Sequence, residues 1–259
     1  TSAPRKARYN NETSCLRGSR ISKDPTRAAQ QLSADAHTAS YATPPTSADA
    51  VIHLAGESVA GLWTAAKKQR ILDSRIQSTQ LIIDWMRQLE TPPHTFLAAS
   101  AVGYYGHRPN ETLTETSTPD PDHKFRAQVC LTWEAEANKA ADLTRVVNLR
   151  IGNVFHPSGG YLQPFLLFYK LGLRFTYGDP AAILPWISLT DTLRLIHFAL
   201  EKKQISGPLN LTAPHATSQA NFAYTLNHTL HNRHPIGRIP PILLRLLLGQ
   251  FAHALLDSQ

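Results

Sequence analysis

A strand, a small-residue turn and a long helix follow one another within residues 49–79, and this order limits the folds available to the chain. The β-branched pair Val51-Ile52 predicts a strand over 50–55, and Ala55-Gly56 leaves little side-chain bulk where that strand ends. Residues at spacings of four and three predict a helix over 64–89. A turn of this kind lets a nucleotide approach the backbone at the carboxyl end of a strand in an α/β sheet.

The alternation of strand and helix continues along the chain. Strands that are apolar almost throughout are typical of a parallel sheet whose two faces are both covered. Asp191 is predicted to be the N-cap of a helix over 192–200. The other predicted elements are strands at 95–100, 145–151, 185–189 and 207–211, and helices at about 125–141, 162–171, 219–231 and 242–256. The fold class is therefore α/β, a Rossmann-type, mostly parallel sheet with helices on both faces and a small C-terminal substrate lobe.

The basic charge of the chain lies mainly at its start. Of the net charge of +7, +5 falls in residues 1–27, which hold seven basic and two acidic side chains. We expect residues 1–20 to form a disordered basic segment, a nucleic-acid arm and a transit peptide being the alternatives. Residues 21–155 are predicted to form the Rossmann-type core, and residues 156–259 mainly the smaller lobe. The nearly neutral remainder argues against a nucleic-acid partner.

Composition favours a globular protein in a reducing compartment. Hydrophobic residues make up 42% of the 259 positions and charged residues 17%, which is unlike a disordered chain. No apolar run is long enough for a transmembrane helix, so we expect no membrane partner and a cytoplasmic location. Two cysteines cannot build a disulfide framework. The histidines at 228, 231 and 234 lack accompanying carboxylate or cysteine ligands, so no metal site is predicted.

Seven short motifs occur in one order along the chain and together resemble those of a known family. They are H-L-A-G-E, W-T-x-x-K-K-x-x-I-x-x-S-R, S-A-V-G-Y-Y-G, W-E-A-E-A, L-R-I-G-N-V, P-W-I-S-L-x-D and G-P-L-N-L-T-A-P. Over residues 20–257 the chain resembles the YfcH-like epimerase family of atypical extended short-chain dehydrogenases/reductases. The resemblance implies a Rossmann-type domain, a substrate lobe and bound NADP(H), making residues 21–155 the NADP-binding core.

The resemblance also implies positions for the nucleotide site. Ser22 and Lys23 stand at the end of the second strand, where a cation would pair with the 2′-phosphate of NADP. The segment Leu54-Ala55-Gly56 is expected to pass beneath the adenosine and pyrophosphate. Arg75 is expected to reach the phosphates, and Val154 to pack on the nicotinamide side. Ordinary core packing for Leu54 and Val154, and a solvated helix position for Arg75, are the alternatives.

Both ends of the sequence depart from the family pattern. The only glycine before Gly56 is Gly18, so the loop G-x-x-G-x-x-G that would face the pyrophosphate cannot be built. We therefore expect the first, central strand of the sheet to be missing or replaced. The family also continues beyond the position of Gln259. A truncated or frameshifted fragment without activity is accordingly one hypothesis.

Catalytic residues are less well indicated than binding residues. Extended dehydrogenases use Tyr-x-x-x-Lys, in which the lysine lowers the pKa of the tyrosine that moves a proton. Arg126 and Cys130, or Phe125 and Val129, stand at those places. The candidates left are Ser100, which could instead cap backbone, and Tyr104 or its neighbour Tyr105, which could simply pack.

Three functions follow from these observations. The first is an NADP-dependent oxidoreductase or epimerase acting on a small-molecule substrate. The second is a nucleotide-binding module that holds NADP(H) without redox chemistry, and the third is the inactive fragment.

Overall fold

The structure is a computed structural model, and its described residues cover most of the chain after Pro45. The positions of Ser22, Lys23 and the basic segment 1–20 lie outside the described residues, as does most of the predicted helices at 162–171 and 242–256. The described ranges are 34–35, 40–41, 45–122, 124–163, 175–231 and 237–240, together with residues 166, 242, 246, 249 and 256.

A four-stranded parallel sheet lies at the centre of the described residues. Its strands lie in the order β11 (Gly207–Leu211), β5 (Arg145–Ile151), β4 (Thr95–Ala101) and β3 (Ala50–His53), and each neighbouring pair is parallel. The prediction of an α/β fold with a parallel sheet is therefore confirmed. All described strands, short ones included, are numbered in chain order. They are β1 Ala34–Asp35, β2 Ser40–Tyr41, β3 Ala50–His53, β4 Thr95–Ala101, β5 Arg145–Ile151, β6 Asn153–His156, β7 Gly159–Gly160, β8 Phe175–Tyr177, β9 Ile183–Leu184, β10 Trp186–Ser188, β11 Gly207–Leu211, β12 Thr217–Ser218 and β13 Gly237–Ile239.

Four helices accompany the strands in the described part of the chain. They are α1 Ala65–Gln88, α2 Phe125–Ala137, α3 Leu189–Glu201 and α4 Gln219–His231. Thr64 caps α1, because its hydroxyl oxygen accepts a hydrogen bond from the Lys67 amide. The helix predicted to reach residue 141 ends instead at Ala137 and continues as a 3₁₀ turn, Asn138–Ala140. A second 3₁₀ turn, Val102–Tyr105, directly follows β4.

Each face of the sheet packs on helices through its own hydrophobic cluster. Phe96 and Ala98 of β4 pack with residues of α1 and with Ala137 of α2. Leu97, the residue between them, points to the other face and packs with Ile196 of α3. Since successive side chains of a strand alternate between faces, a strand covered on both sides must be apolar almost throughout. This is why β4 is buried along nearly its whole length.

The predicted N-cap of α3 is wrong. The helix begins one turn earlier, and Ser188 is its N-cap: the Ser188 hydroxyl oxygen accepts from the Asp191 amide at 3.0 Å. Asp191 is the third helical residue, and its carboxylate accepts a hydrogen bond from the Ser188 hydroxyl at 2.8 Å. The Ser188 hydroxyl thus accepts from the Asp191 amide and donates to the Asp191 carboxylate, so the serine and not the acid precedes the helix.

Smaller sheets extend beyond the carboxyl edge of the central one. β6 pairs with β10 in parallel and with β7 in antiparallel orientation, and further pairs are β9-β12 and β8-β13. In the central sheet, β3 has a hydrogen-bonded neighbour on one side only among the described residues. Nowhere in the described ranges is a helix both long enough and apolar enough to cross a membrane.

Candidate cofactor and substrate site

The turn after β3 lies directly against Arg75 of α1. Ala55 is buried, and a Cβ built on Gly56 would lie only 3.0 Å from the Arg75 guanidinium carbon. A side chain at residue 56 would therefore require the guanidinium group to shift by a few tenths of an ångström. The predicted small-residue turn and the predicted arginine thus come together at the carboxyl end of a parallel strand.

The guanidinium group of Arg75 is fixed by carbonyl groups and by an aromatic ring. It donates hydrogen bonds to the carbonyl oxygens of Glu57 at 3.1 Å and of Ile71 at 3.0 Å. Its central carbon lies 4.8 Å from the centroid of the Trp133 ring. The Arg75 Nε–H is buried without a hydrogen-bond partner. Burial lowers the pKa of Arg75, and the nearby charge of Glu57 opposes that shift only in part.

His53, the last residue of β3, is a fully buried neutral histidine beside this arginine. Its Nε2 lies 3.1 Å from the Thr79 hydroxyl and 3.2 Å from the Ser78 hydroxyl, and both hydroxyls donate to backbone carbonyls of α1. This pattern assigns the ring proton to Nε2, and Nδ1 is left without a partner. Burial first, and the charge of Arg75 second, lower the pKa of His53 to about 4.

A cavity of about 230 Å³ opens between α2 and the carboxyl ends of strands β4 and β5. It is lined by the turn after β4, by the Gly152-Asn153 turn after β5 and by Pro185. Gly152 must be a glycine here, because a Cβ would lie 2.7 Å from the Pro185 carbonyl oxygen. The remaining walls are mainly apolar and aromatic, with Trp63, Phe125 and Trp133 among them.

All four residues at the possible Tyr-x-x-x-Lys positions line this cavity. They are Phe125, Arg126, Val129 and Cys130, on one side of the first two turns of α2. A Cβ on Gly103 would lie 3.5 Å from Arg126 Cβ and 3.8 Å from Cys130 Sγ, so the turn after β4 packs directly on α2. Burial, followed by the charge of Glu134, raises the pKa of the Cys130 thiol, which disfavours the thiolate.

Ser100, a predicted catalytic residue, belongs to a buried ionic network. Its hydroxyl donates to Glu134 at 2.6 Å. The same carboxylate accepts two hydrogen bonds from Arg150, each 2.9 Å long. Arg150 also donates to the Tyr105 hydroxyl at 2.9 Å, and Tyr105 in turn donates to the Asn210 side chain at 2.7 Å. A role for Ser100 toward substrate stays a prediction.

Tyr104, the other predicted catalytic residue, packs on the same network. The guanidinium carbon of Arg150 lies 3.5 Å from the centroid of the Tyr104 ring. Tyr105 meets that ring edge to face, with centroids 5.2 Å apart. Burial raises the pKa of Tyr105, although its bond from Arg150 opposes the shift. Neither tyrosine lines the cavity that contains Arg126.

Leu54 and Val154 contact the core on the α3 side of the sheet. Both are partly buried and pack against the cluster that contains Leu97 and Ile196. This packing is what ordinary core residues show. Their predicted contacts with adenosine and nicotinamide therefore stay predictions.

A second cavity of about 440 Å³ lies next to the first. It is formed by the loop 108–113 and by the segment 212–216 after β11, with Tyr105 and Trp186 in its walls. Val102, Leu184 and Pro185 line both cavities. No group of three His, Cys, Asp or Glu side chains in the described ranges could hold a metal ion. His234 of the histidine run lies outside those ranges.

Comparison with known proteins identifies the family. The sequence profile of the NAD dependent epimerase/dehydratase family matches residues 19–212. The chain belongs to this family. It is 36% identical over 212 residues to the epimerase family protein SH2119 of Staphylococcus haemolyticus. The matched region covers 82% of this chain and 70% of that protein. The predicted resemblance to epimerases of the extended dehydrogenase type is confirmed.

Two solved structures of the family have similar folds. The human epimerase family protein SDR39U1 (isoform 2), determined with NADPH, matches with a TM-score of 0.79 and 30% identity over 84% of this chain and 75% of that one. The nucleoside-diphosphate sugar epimerase of Corynebacterium glutamicum matches with a TM-score of 0.62 and 27% identity. That match covers 84% of this chain and 52% of the other.

The residues at the end of β3 fit the nicotinamide dinucleotide that this epimerase family uses. Small residues leave the backbone accessible there, and the unpartnered Nε–H of Arg75 is a charged donor that suits a phosphate oxygen. The sequence motifs W-E-A-E-A and L-R-I-G-N-V pointed to the family without indicating that Glu134 and Arg150 pair. Acidic and basic residues in the middle of apolar segments were the available signal, since such residues are rarely buried alone.

Proposed function

We propose that this family member is an NADP-dependent oxidoreductase with epimerase-like chemistry on a small-molecule substrate. The observation that carries the proposal is the cavity at the carboxyl edge of the parallel sheet, between the β4 turn and α2, with Arg75 in its wall. Ligands of open α/β sheets bind at this edge. When bound, NADP supplies hydride transfer at its nicotinamide ring, and the protein supplies position, charge and exclusion of water.

The residue roles in this proposal follow the chain's own geometry where it is described. Leu54-Ala55-Gly56 would lie beneath the adenosine and pyrophosphate, and Arg75 would hold a phosphate. Val154 would lie on the nicotinamide side. Ser22 and Lys23 would select the 2′-phosphate that distinguishes NADP from NAD. The NADPH in the human SDR39U1 structure supports NADP over NAD.

Proton transfer is assigned to Ser100 and Tyr104 as hypotheses only. The Ser100 hydroxyl is bonded to Glu134, and the Tyr104 ring lies on Arg150, so either group would need to exchange its partner for substrate. We expect Ser100→Ala to lower turnover of NADPH while leaving its dissociation constant unchanged. Loss of NADPH binding in that variant would instead assign Ser100 a structural role.

Cofactor titration tests the proposal directly. We expect NADPH to bind the purified protein more tightly than NADH, and Lys23→Ala to reduce this preference by about tenfold, or about 1.4 kcal/mol. Tryptophan fluorescence and calorimetry would measure both constants, with Lys203→Ala as a matched exposed-lysine control. Absence of NADPH binding at millimolar concentration would refute the proposal.

A second candidate function is the binding of NADP(H) without turnover. It is favoured by Arg126 and Cys130, which line the cavity where a Tyr-x-x-x-Lys pair would lie, because neither supplies an ionisable phenol. Tight NADPH binding without hydride transfer to any of a panel of small carbonyl compounds would support this function over the first.

A further inference from the structure

The 440 Å³ cavity lies beside the cavity that the proposed function gives to the cofactor. The two have Val102, Leu184 and Pro185 in common, so a ligand in the larger cavity would lie next to the bound cofactor. Its volume falls within the range of about 300–1,000 Å³ that is usual for small-molecule sites. The larger cavity is therefore the candidate site for a second ligand.

Hydrogen bonds and an ion pair fix the walls of this cavity. In the segment after β11, the Ala213 amide donates to the Trp186 carbonyl oxygen at 2.7 Å. The Trp186 indole N–H donates to the His215 carbonyl oxygen at 3.2 Å. In the opposite loop, Arg108 donates through Nε and Nη2 to the two carboxylate oxygens of Glu111. Both walls are thus held in place before a ligand binds.

The ion pair also leaves the cavity with little net charge. Arg108 and Glu111 are the only Arg, Lys, Asp or Glu side chains among its described lining residues. Their charges cancel, and both oxygens of the carboxylate are already engaged by the guanidinium group. An anionic ligand would have to take Arg108 from Glu111, because a buried charge without a partner is costly. The charge of the cavity therefore favours an uncharged ligand.

Asn210 presents a hydrogen-bond donor to this cavity, and its carboxamide is oriented from behind. Arg150 donates to the Tyr105 hydroxyl at 2.9 Å, and that hydroxyl donates to Asn210 Oδ1 at 2.7 Å. The Asn210 backbone amide donates to the Glu115 carboxylate at 2.9 Å. Asn210 lines the cavity, and since its Oδ1 is held by Tyr105, its Nδ2 amino group is the part left to donate to a ligand oxygen.

Three further side chains of the wall are uncharged and can both donate and accept hydrogen bonds. They are Asn110, Thr112 and Thr212, and the apolar surface between the polar groups includes Trp186 and Leu113. The hydroxyl groups of a ligand also donate and accept, so they match this wall. Phosphate and carboxylate groups only accept, and they carry charge. The wall is therefore suited to a molecule with several hydroxyl or carbonyl oxygens.

We propose that this cavity binds an uncharged polyol or hydroxycarbonyl compound, with Asn210 as the specificity-determining residue that donates to one of its oxygens. This inference rests on the proposed function, since it names the substrate class of that reaction. A nucleoside diphosphate does not belong to this class, because Arg108 is committed to Glu111 and no other described lining residue is an arginine or lysine.

Matched neutral and charged compounds test the proposal. The panel consists of polyols and hydroxy ketones, each with its carboxylate or phosphate counterpart; glucose, for example, is compared with glucuronate and with UDP-glucose. Ligand-observed NMR would measure binding with and without saturating NADPH, at pH 8, where histidine side chains are ordinarily neutral. We expect neutral members to bind, and to bind at least about tenfold more tightly than their charged counterparts.

Asn210→Asp tests the donor without removing the acceptor of Tyr105. The aspartate keeps an oxygen for the Tyr105 hydroxyl but replaces the amino group with a second oxygen, which cannot donate. We expect the affinity for neutral compounds to fall by about tenfold or more. Asn221→Asp, the same change at an exposed position of α4, is the matched control and should leave that affinity unchanged.

Three outcomes would overturn the proposal. Two of them concern the wild-type protein and depend on no variant: no neutral member of the panel binds, or charged counterparts bind as tightly as neutral members. The third is an unchanged affinity for neutral compounds in Asn210→Asp when circular dichroism shows that it is folded.

NADPH titration separates this proposal from the cofactor proposal. Asn210 does not line the cavity given to the cofactor, so we expect the NADPH affinity of Asn210→Asp to stay within about threefold of wild type. Failure of NADPH to bind the wild-type protein would refute the cofactor proposal. Normal NADPH binding without a preference for neutral compounds would overturn the present proposal alone.

Discussion

Two arginines of this protein, the buried Arg150 and the partly buried Arg75, lie in different electrostatic environments. Arg150 pairs with the carboxylate of Glu134 through two hydrogen bonds and stacks on Tyr104. Burial alone would lower the pKa of Arg150, but its bonds to Glu134 and Tyr105 raise it above its ordinary value. Arg75 donates to two backbone carbonyls and lies against an indole ring, and burial lowers its pKa although the nearby charge of Glu57 opposes the shift.

The difference separates a structural ion pair from a binding group. The Arg150 pair is internally satisfied, so it needs nothing from a ligand and fixes α2 against β5. Arg75 keeps an unmet donor beside a cavity, and the cost of that donor must be recovered elsewhere. Perturbed ionisable groups next to a cavity are typical of functional sites.

Removing the acid of the ion pair should have the largest effect. Glu134→Gln leaves the Arg150 charge buried without compensation, and we expect the free energy of unfolding to fall by about 3–5 kcal/mol. Urea denaturation would measure it. The double variant Glu134→Gln with Arg150→Met should recover part of the loss. A loss below about 1 kcal/mol in the single variant would contradict the structural role.

Acidification should reveal the burial of His53. Because its pKa falls from 6.5 to about 4 on folding, the unfolded chain binds the proton first. The neutral ring makes its full contribution to the free energy of unfolding above about pH 6.5. This contribution, about 3 kcal/mol in total, is lost as the pH falls toward 4. His53→Gln removes this dependence. Urea denaturation between pH 7 and pH 4 should show a shallower decline in the variant, and parallel curves would contradict the prediction.

Replacing Arg75 should affect binding more than stability. Arg75→Gln removes a charged donor from the wall of the cavity, and we expect NADPH to bind about 10-fold to 100-fold more weakly, or about 1.4–2.7 kcal/mol. Arg70→Gln, on the exposed side of the same helix, is the matched control. Unchanged NADPH affinity in Arg75→Gln would assign Arg75 to structure alone, and the contrast with Arg150 would then fail.

Several core elements could be predicted because each is marked by an apolar run or a helical spacing within its own segment of the sequence. Strand β5, strand β11 and helix α4 have the predicted bounds, since apolar runs and helical spacing mark them clearly. The start of α3 was predicted wrongly. Ser188 and Asp191 can each cap a helix, and only the three-dimensional backbone decides which one precedes it.

The residues singled out for the site come mainly from one segment of the chain. The strand-turn-helix pattern indicated Ala55-Gly56, the family resemblance added Leu54 and Arg75, and the structure places Gly56 against Arg75. The contacts of His53, Trp133 and Arg150 were not predicted, because each joins residues that lie far apart in the chain. Spacing along a sequence carries no information about such pairs.

The sequence by itself determined the α/β class, the parallel sheet and the membership of the epimerase family, because these depend on residue patterns within short segments. Only the tertiary structure decided which buried charges are paired. Charge pairing and unmet donors depend on distances across elements and on desolvation, and both arise only when α1 and α2 pack on the sheet. That packing pairs Arg150 with Glu134 and leaves the Nε–H of Arg75 without a partner beside the cavity.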